Sequence, residues 1–180
     1  RTRAKVTFPA RFQLIAAMNP SPTGHYQGKH NRCSPEQTLR YLGKLSGPFL
    51  DRFDLSLEIP LPTRGLMSEP QQGGEGSDAV RARVVEAQAR QHQRQHKLNA
   101  QLESSETRRF CALTKEDGKW LEETLTRLGL SVRAWQRLLK VARTIADLEK
   151  QETIRREHLQ EALSYRAIDR LLIHLQNMLA

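Results

Sequence analysis

The amino-acid sequence predicts an α/β part followed by an all-helical part. Three observations support this prediction. Residues 11–18 form a short apolar run, residues 54–60 alternate apolar and polar side chains, and the sequence after residue 79 carries apolar residues at helical spacing. Residues 65–78 contain four glycines together with Ser, Pro and Gln, a composition that favours a linker. The predicted units are therefore 1–64, the linker, and 79–180.

The apolar run at 11–18 is the first predicted strand. It has no polar alternation after Gln13, which is typical of a strand that is buried on both faces in a parallel sheet, although periodicity alone also permits a helix. Asn19 and Pro20 end the run, and a polar loop follows as far as Cys33.

A helix is predicted to begin after this loop. Ser34 is a suitable cap, Pro35 occupies the first helical position, and Gln37 completes a capping box. The alternation at 54–60 predicts a second strand. Since two strands cannot bury both of their faces alone, we expect the first part to be an incomplete unit.

The second part is predicted to form a small helical bundle. A long helix is expected over 79–102, and the capping-box pattern at 114–117 opens the next one. A third helix turns Trp135, Leu138 and Ala142 inward, and a last helix carries leucines and alanines at four-residue spacing over 159–179.

Composition limits the class of protein and its environment. The 180 residues carry a formal net charge of +9, which fits either a merely basic surface or a polyanionic partner such as nucleic acid. No apolar run is long enough to span a bilayer. The two cysteines, Cys33 and Cys111, give no disulfide framework and favour the cytoplasm. Because the chain begins at Arg1 and not at Met, we expect a fragment or a processed product.

Three segments resemble motifs of one family. Residues 8–20 (FPARFQLIAAMNP) resemble the fourth core strand of AAA+ ATPases of the magnesium-chelatase and helicase clade. Residues 45–54 (LSGPFLDRFD) resemble its arginine-finger segment. Residues 130–133 (LSVR) with 140–148 (KVARTIADL) resemble the sensor-2 helix of its lid. The order and spacing resemble those of the magnesium-chelatase-like YifB/ComM family.

The resemblance implies a fold and an activity. The first unit would be the C-terminal part of an AAA+ parallel-sheet core, and 79–180 would be the helical lid. Members are described as ring-forming, ATP-driven DNA motors linked to natural transformation and branch migration. The implied partners are therefore ATP with Mg²⁺, DNA, and further copies of the chain, which would form a hexameric ring.

The resemblance also implies three catalytic residues. Asn19 would be sensor 1 and would orient the attacking water or contact the γ-phosphate. Arg52 would be the arginine finger, reaching the ATP of the neighbouring subunit, because a guanidinium grips phosphate oxygens in two places. Arg133 would be sensor 2 in its own subunit. The structural alternatives are a turn at Asn19-Pro20, a salt bridge from Arg52 to Asp51, Asp54 or another nearby acid, and a solvated Arg133.

Two basic regions are candidates for nucleic-acid binding. Arg3 and Lys5 precede the first strand, where related helicases carry a pore hairpin, although a frayed basic terminus is the simpler explanation. The basic helix over 79–102 offers Arg90 and Arg94 as weaker candidates. A solvated helix face is the commoner origin of such a charge run.

No metal site is expected. Many relatives carry several cysteines in the loop after Asn-Pro, whereas this sequence has Ser21 and Thr23 there and keeps only Cys33. His25 and His30 are nearby, but zinc needs about four ligands in tetrahedral reach. The pair His92 and His96 would supply only two ligands, so we expect both to be solvated.

The 180 residues contain no G-x-x-x-x-G-K-[ST] loop and no Ser-His-Asp or paired-carboxylate set. We therefore expect this chain alone to be inactive. The phosphate-binding loop, the magnesium-binding carboxylates and a domain similar to part of Lon-type proteases are expected upstream. Three functions remain open: a DNA motor, a motor for another client such as the porphyrin system of magnesium chelatase, and a non-enzymatic helical adaptor.

Overall fold

The computed structural model describes residues 6–10, 12–60 and 74–179. Eight α-helices follow one another in this part of the chain, with one turn of 3-10 helix at Asn99–Gln101 after the third of them. The α-helices are α1 (Pro35–Leu42), α2 (Gly47–Leu50), α3 (Ser77–Gln95), α4 (Ser104–Phe110), α5 (Lys115–Arg127), α6 (Val132–Leu148), α7 (Arg156–Ser164) and α8 (Ala167–Asn177).

Helix caps are where the sequence predicts them. At α1, Ser34 Oγ accepts a hydrogen bond from the backbone N–H of Gln37, and Gln37 Oε1 accepts one from the backbone N–H of Ser34. At α5, Thr114 Oγ1 accepts from the backbone N–H of Asp117 at 3.1 Å. These bonds satisfy N–H groups that a helix leaves without partners, which confirms both predicted starts.

The helical bundle has its core around α6. Leu121 of α5, Ala142 of α6 and Leu159 of α7 are completely buried. Helix α6 packs against α7 on one side and against α3 and α4 on the others. The all-helical second part is thereby confirmed. None of the helices in the described ranges is long and apolar enough to cross a membrane.

The predicted helix over 79–102 is wrong in its last third. Helix α3 ends at Gln95 because His96 adopts a left-handed backbone with φ of 59°. Two amide side chains stabilise the turn that follows α3. Gln91 Oε1 accepts from the backbone N–H of Asn99, and Gln95 Nε2 donates to the carbonyl of Lys97. Helix α4, which follows, was not expected from the sequence.

The predicted last helix over 159–179 is also divided. Helix α7 ends at Ser164 and α8 begins at Ala167, and the junction between them pairs with Ser56 in a parallel bridge centred on Arg166. Ser56 donates its backbone N–H to the carbonyl of Tyr165 at 2.6 Å and accepts from the N–H of Ala167 at 3.0 Å. In a continuous helix the carbonyl of Tyr165 and the N–H of Ala167 would be bonded within the helix and could not pair with Ser56.

No strand ladder forms among residues 6–10, 12–60 and 74–179. Residues 12–18 form no helix or strand with the other described residues, and their large apolar side chains are exposed. In the predicted second strand, Ser56 alone pairs, in a parallel bridge with Arg166. A strand holds its place through a neighbouring strand, and this part of the chain supplies none for 12–18. Between the two predicted strands the chain also forms the short helix α2, which Ser46 caps.

Candidate functional site

The segment that carries Arg52 lies against the beginning of α6. Arg137 Nη1 donates to the backbone carbonyl of Arg52 at 3.0 Å and to Asp54 Oδ1 at 2.8 Å. Ser131 Oγ, at the cap of α6, donates to Asp51 Oδ2 at 3.5 Å. The structure therefore joins the predicted arginine-finger loop, residues 51–54, to the predicted sensor-2 helix.

The side chain of Arg52 is exposed. Its guanidinium donates to the carbonyl of Pro48, a neutral acceptor at the start of α2. Among the described residues Arg52 forms no ion pair with Asp51, Asp54 or another acid, so the salt bridge of the structural alternative is not formed there. Asp54 is paired with Arg137 instead. The charge of Arg52 is thus left available for an anion outside this loop.

Arg133 is exposed in the first turn of α6. Ser131 caps this turn through a bond from the backbone N–H of Ala134 at 3.2 Å. Arg133 and Arg137 are four residues apart and therefore lie on the same side of the helix. Sequence reasoning missed Arg137, although this spacing from Arg133 was a signal that could have found it.

Asn19 is exposed and directly follows the apolar segment 12–18. Pro20 and Ser21, which follow it, enter a loop that the hydroxyl of Ser21 closes by donating to the carbonyl of His25 at 2.6 Å. Within the described part of the chain no hydrogen bond or ion pair joins Asn19 to Arg52 or Arg133. Its proposed role as sensor 1 stays a prediction.

The loop after Asn19 carries the hydroxyl side chains of Ser21 and Thr23 and the thiol of Cys33. Thr23 Oγ1 lies 3.4 Å from Ser21 Oγ and 3.4 Å from Cys33 Sγ. The rings of His25 and His30 are tilted, with centroids 5.5 Å apart. Their ligand atoms do not converge with Cys33 into a three-ligand group. Side-chain hydrogen bonds, to the backbone as well as to other side chains, hold this loop together.

We expect zinc in the purified full-length protein to be well below one ion per chain, because hydroxyl oxygens of Ser21 and Thr23 are poor substitutes for thiolates. Metal analysis of protein prepared without chelator measures this. One tightly held zinc per chain, lost on Cys33→Ser, would contradict the expectation.

A second histidine group, Glu149, Glu157 and His158, brings three ligand atoms within 4.8 Å of one another. His158 Nδ1 accepts from the backbone N–H of Arg155 at 2.9 Å, so Nε2 carries the proton and faces Glu149 Oε2 at 2.9 Å. A metal at Nε2 would move that proton to Nδ1, where it would oppose the N–H of Arg155. The arrangement fits a helix cap better than a metal site.

The basic face of α3 is largely neutralised by nearby acids. Arg83 forms a two-bond pair with Glu75, Arg81 lies 3.1 Å from Asp78, and Arg90 lies 3.6 Å from Glu86. His92 and His96 are exposed. Arg3 and Lys5 lie outside the described residues, so their proposed contact with DNA stays a prediction.

Arg94 has a structural partner. Its two terminal nitrogens bond to both carboxylate oxygens of Asp147, at 2.6 and 2.9 Å, and one of them also donates to Asn99 Oδ1. Asp147 is buried and also pairs with the buried Arg143 at 3.1 Å. A role in holding α3 to α6 therefore competes with the proposed DNA contact of Arg94.

Comparison with known proteins identifies relatives along the whole chain. The family model described as magnesium chelatase, subunit ChlI, matches residues 1–66, and the model for its C-terminal part matches residues 74–166. The uncharacterized protein YifB of Salmonella typhimurium is 70% identical over 100% of this chain and 36% of its own length. YifB of Escherichia coli is 70% identical over 99% of this chain and 35% of its length. The competence protein ComM of Haemophilus influenzae is 56% identical over 99% of this chain and 35% of its own length. The chain thus spans about a third of the length of these relatives.

Proposed function

Because this chain belongs to the magnesium chelatase ChlI family of AAA+ ATPases, we propose that it is the arginine-finger and lid region of a ring-forming ATPase that moves DNA. The observation that carries the proposal is the exposed Arg52, whose neighbouring acid Asp54 is occupied by Arg137. A guanidinium presented in this way suits the developing charge of a phosphoryl group in a neighbouring subunit.

The proposed division of labour follows from phosphoryl-transfer chemistry. Arg52 acts in trans, Arg133 senses the γ-phosphate in its own subunit, and Asn19 orients the attacking water. ATP and Mg²⁺ bind mainly to upstream residues of the full-length protein, which carry the phosphate-binding loop. Arg133 is suited to its role because the capped N-terminus of α6 adds a partial positive charge beside it.

The proposed parallel-sheet core explains the exposed apolar segment. Phe12, Ile15 and Ile59 are 76%, 84% and 83% exposed in this chain, a large cost in water. In the full-length protein these side chains pack within the remaining sheet and its helices. The assembled ring, proposed to be hexameric and cytoplasmic, then brings Arg52 of one subunit to the ATP of the next.

DNA is the proposed client because of the net charge of +9 and because one relative is named a competence protein. The second candidate is a motor for a different client, favoured by the family's description as a magnesium chelatase subunit. Neither candidate requires the basic face of α3, since acids neutralise most of it.

Addition of DNA is expected to raise the ATPase rate of the full-length protein. Affinity should fall steeply with salt and vary little with sequence, because phosphate contacts dominate, each contributing about 0.7–0.9 units to the slope of log affinity against log salt. Replacing Arg3 and Lys5 together by Ala should remove most of the stimulation. Arg90→Ala, the matched control, should lower the slope by about one unit at most.

An assembly that neither binds DNA at low salt nor changes its ATPase rate with DNA would reject the DNA motor. A porphyrin-type or protein client would then become the leading hypothesis. ATP hydrolysis without DNA would keep the ATPase assignment, whereas the non-enzymatic adaptor would show no hydrolysis under any condition.

A further inference from the structure

We propose that Arg137 is a positioning residue which fixes the 51–54 loop to helix α6, so that the lid of a subunit sets the position of its own arginine finger. The inference rests on the proposed roles of Arg52 and Arg133. It adds a physical connection between two ATP sites, since Arg133 faces the site of its own subunit and Arg52 faces the site of the next.

The loop has few anchors within its own segment. Helix α2, which precedes it, is four residues long, and Phe49 and Phe53 pack edge to face at 5.2 Å, with Phe49 exposed. Such a short exposed turn does not hold a fixed conformation alone. Its position must therefore come from outside the segment.

The outside anchors belong to the helical part. The main one in the loop is Arg137, which bonds the carbonyl of Arg52 and the carboxylate of Asp54, and Ser131 adds a longer bond of 3.5 Å to Asp51. Beyond the loop, the α7–α8 junction holds Ser56 through the carbonyl of Tyr165 and the N–H of Ala167. Arg52 is thus fixed from the lid on the two sides of its loop, and a movement of the lid carries the loop with it.

Helix α6 provides the connection to nucleotide. Arg133 and Arg137 are one turn apart, about 6 Å along the axis. A change in lid position at Arg133 therefore reaches Arg137 without bending the helix. The hydrogen bonds of Arg137 then transfer the displacement to the backbone of Arg52.

Arg137 has a second effect through charge. Asp54 lies two residues from Arg52, and its carboxylate is occupied by Arg137 at 2.8 Å. Without Arg137, Asp54 becomes a competing partner for the Arg52 guanidinium. Loss of Arg137 therefore both releases the loop and offers its arginine a local partner.

The test is the ATPase activity of full-length variants. We expect Arg137→Ala to lower kcat by about 10- to 100-fold, the cost of a misplacement of roughly 1 Å, with little change in KM for ATP. Arg137→Lys keeps the charge but not the two-acceptor geometry, and should fall in between. Arg127→Ala, which removes an exposed arginine of α5, is the matched control and should behave as wild type.

A double variant that also lacks the Asp54 carboxylate tests whether Asp54 competes for Arg52. If Asp54 competes for Arg52 once Arg137 is gone, the Arg137→Ala, Asp54→Ala double variant should be no slower than Arg137→Ala alone, since the two substitutions share one contact. Hydrogen exchange over residues 51–56 should quicken in Arg137→Ala and stay unchanged in Arg127→Ala.

Wild-type kcat and unchanged exchange in Arg137→Ala, while Arg52→Ala is inactive, would overturn the inference and leave the proposed function standing. Normal turnover in Arg52→Ala would instead reject the proposed function, and the exchange measurement would still decide whether Arg137 holds the loop. Additive losses in the double variant would show that Asp54 and Arg137 act separately, which also contradicts the inference.

Discussion

Arg52→Ala in the full-length protein is expected to lower the ATPase rate by about 10³-fold or more, with the fold and ATP binding largely kept. In its proposed role the guanidinium neutralises charge that develops only as the phosphoryl group transfers, so we expect its loss to appear in kcat and not in KM. The fold should be kept because the Arg52 side chain is exposed. Its hydrogen bond goes to the carbonyl of Pro48, so its removal leaves no charged partner unpaired.

If Arg52 acts in trans, two inactive variants should restore activity when their subunits are mixed. Arg52→Ala subunits have intact ATP sites but donate no finger, whereas subunits without the upstream phosphate-binding lysine have dead sites and normal fingers. Mixed rings should therefore recover part of the activity, since some interfaces combine the two intact halves. In the control mixture, Arg127→Ala subunits replace the Arg52→Ala subunits, which shows how subunit exchange alone changes the activity.

Rings that mix, as shown by exchange of labelled subunits, but stay inactive would contradict the role in trans. Arg52 would then act within its own subunit or only on assembly. A rate within about threefold of wild type in Arg52→Ala alone would remove the arginine-finger assignment altogether.

The parts of the fold that the sequence predicted are those fixed by local chemistry. Ser34 and Thr114 form their caps with residues three positions away, so the pattern contains both partners. The helical bundle was predictable for a related reason, since the spacing of Leu121, Leu125 and Leu159 records the faces that became buried.

The parts that were missed depend on residues distant in the sequence. The last helix is broken by Ser56, more than a hundred residues earlier. The predicted long helix ends early at His96, and the turn that follows is held by Asn99, whose amide donates to Asp147 of α6. At the candidate site, the roles of Arg52 and Arg133 stay predictions, since exposure of Arg133 also fits a merely solvated arginine. The contact of Arg137 with the 51–54 loop required the three-dimensional structure.

The largest effect on stability is expected at a residue that sequence reasoning left unassigned, Asp147. Its side chain is 1% exposed and forms ion pairs with Arg94 at 2.6 Å and with Arg143 at 3.1 Å. Asn99 Nδ2 donates to the same carboxylate at 2.9 Å. Burial lowers the pKa of Arg143 while Asp147 opposes that change, so the carboxylate is what makes a buried guanidinium tolerable.

Asp147→Ala should therefore destabilise the bundle by about 3–5 kcal/mol, since removing one partner leaves a buried charge uncompensated. At about 2–4 °C per kcal/mol for a chain of this size, the melting temperature falls by roughly 10 °C. Urea unfolding followed by tryptophan fluorescence measures the change, because Trp120 and Trp135 both pack against the bundle core.

Two variants make the stability prediction specific to buried charge. Asp147→Asn keeps the shape and some hydrogen bonds, so it should cost less than Asp147→Ala. Glu123→Ala removes a carboxylate whose partner, Lys119, is 3.9 Å away at an exposed site, and should change stability by less than about 0.5 kcal/mol. Equal urea midpoints for Asp147→Ala and Glu123→Ala would mean that Arg143 finds water or another acceptor when Asp147 is lost. In that case the carbonyls of Gln151 and Glu152, which already accept from Arg143, would be sufficient to hold the guanidinium, and the junction of α3 with α6 would rest on apolar packing.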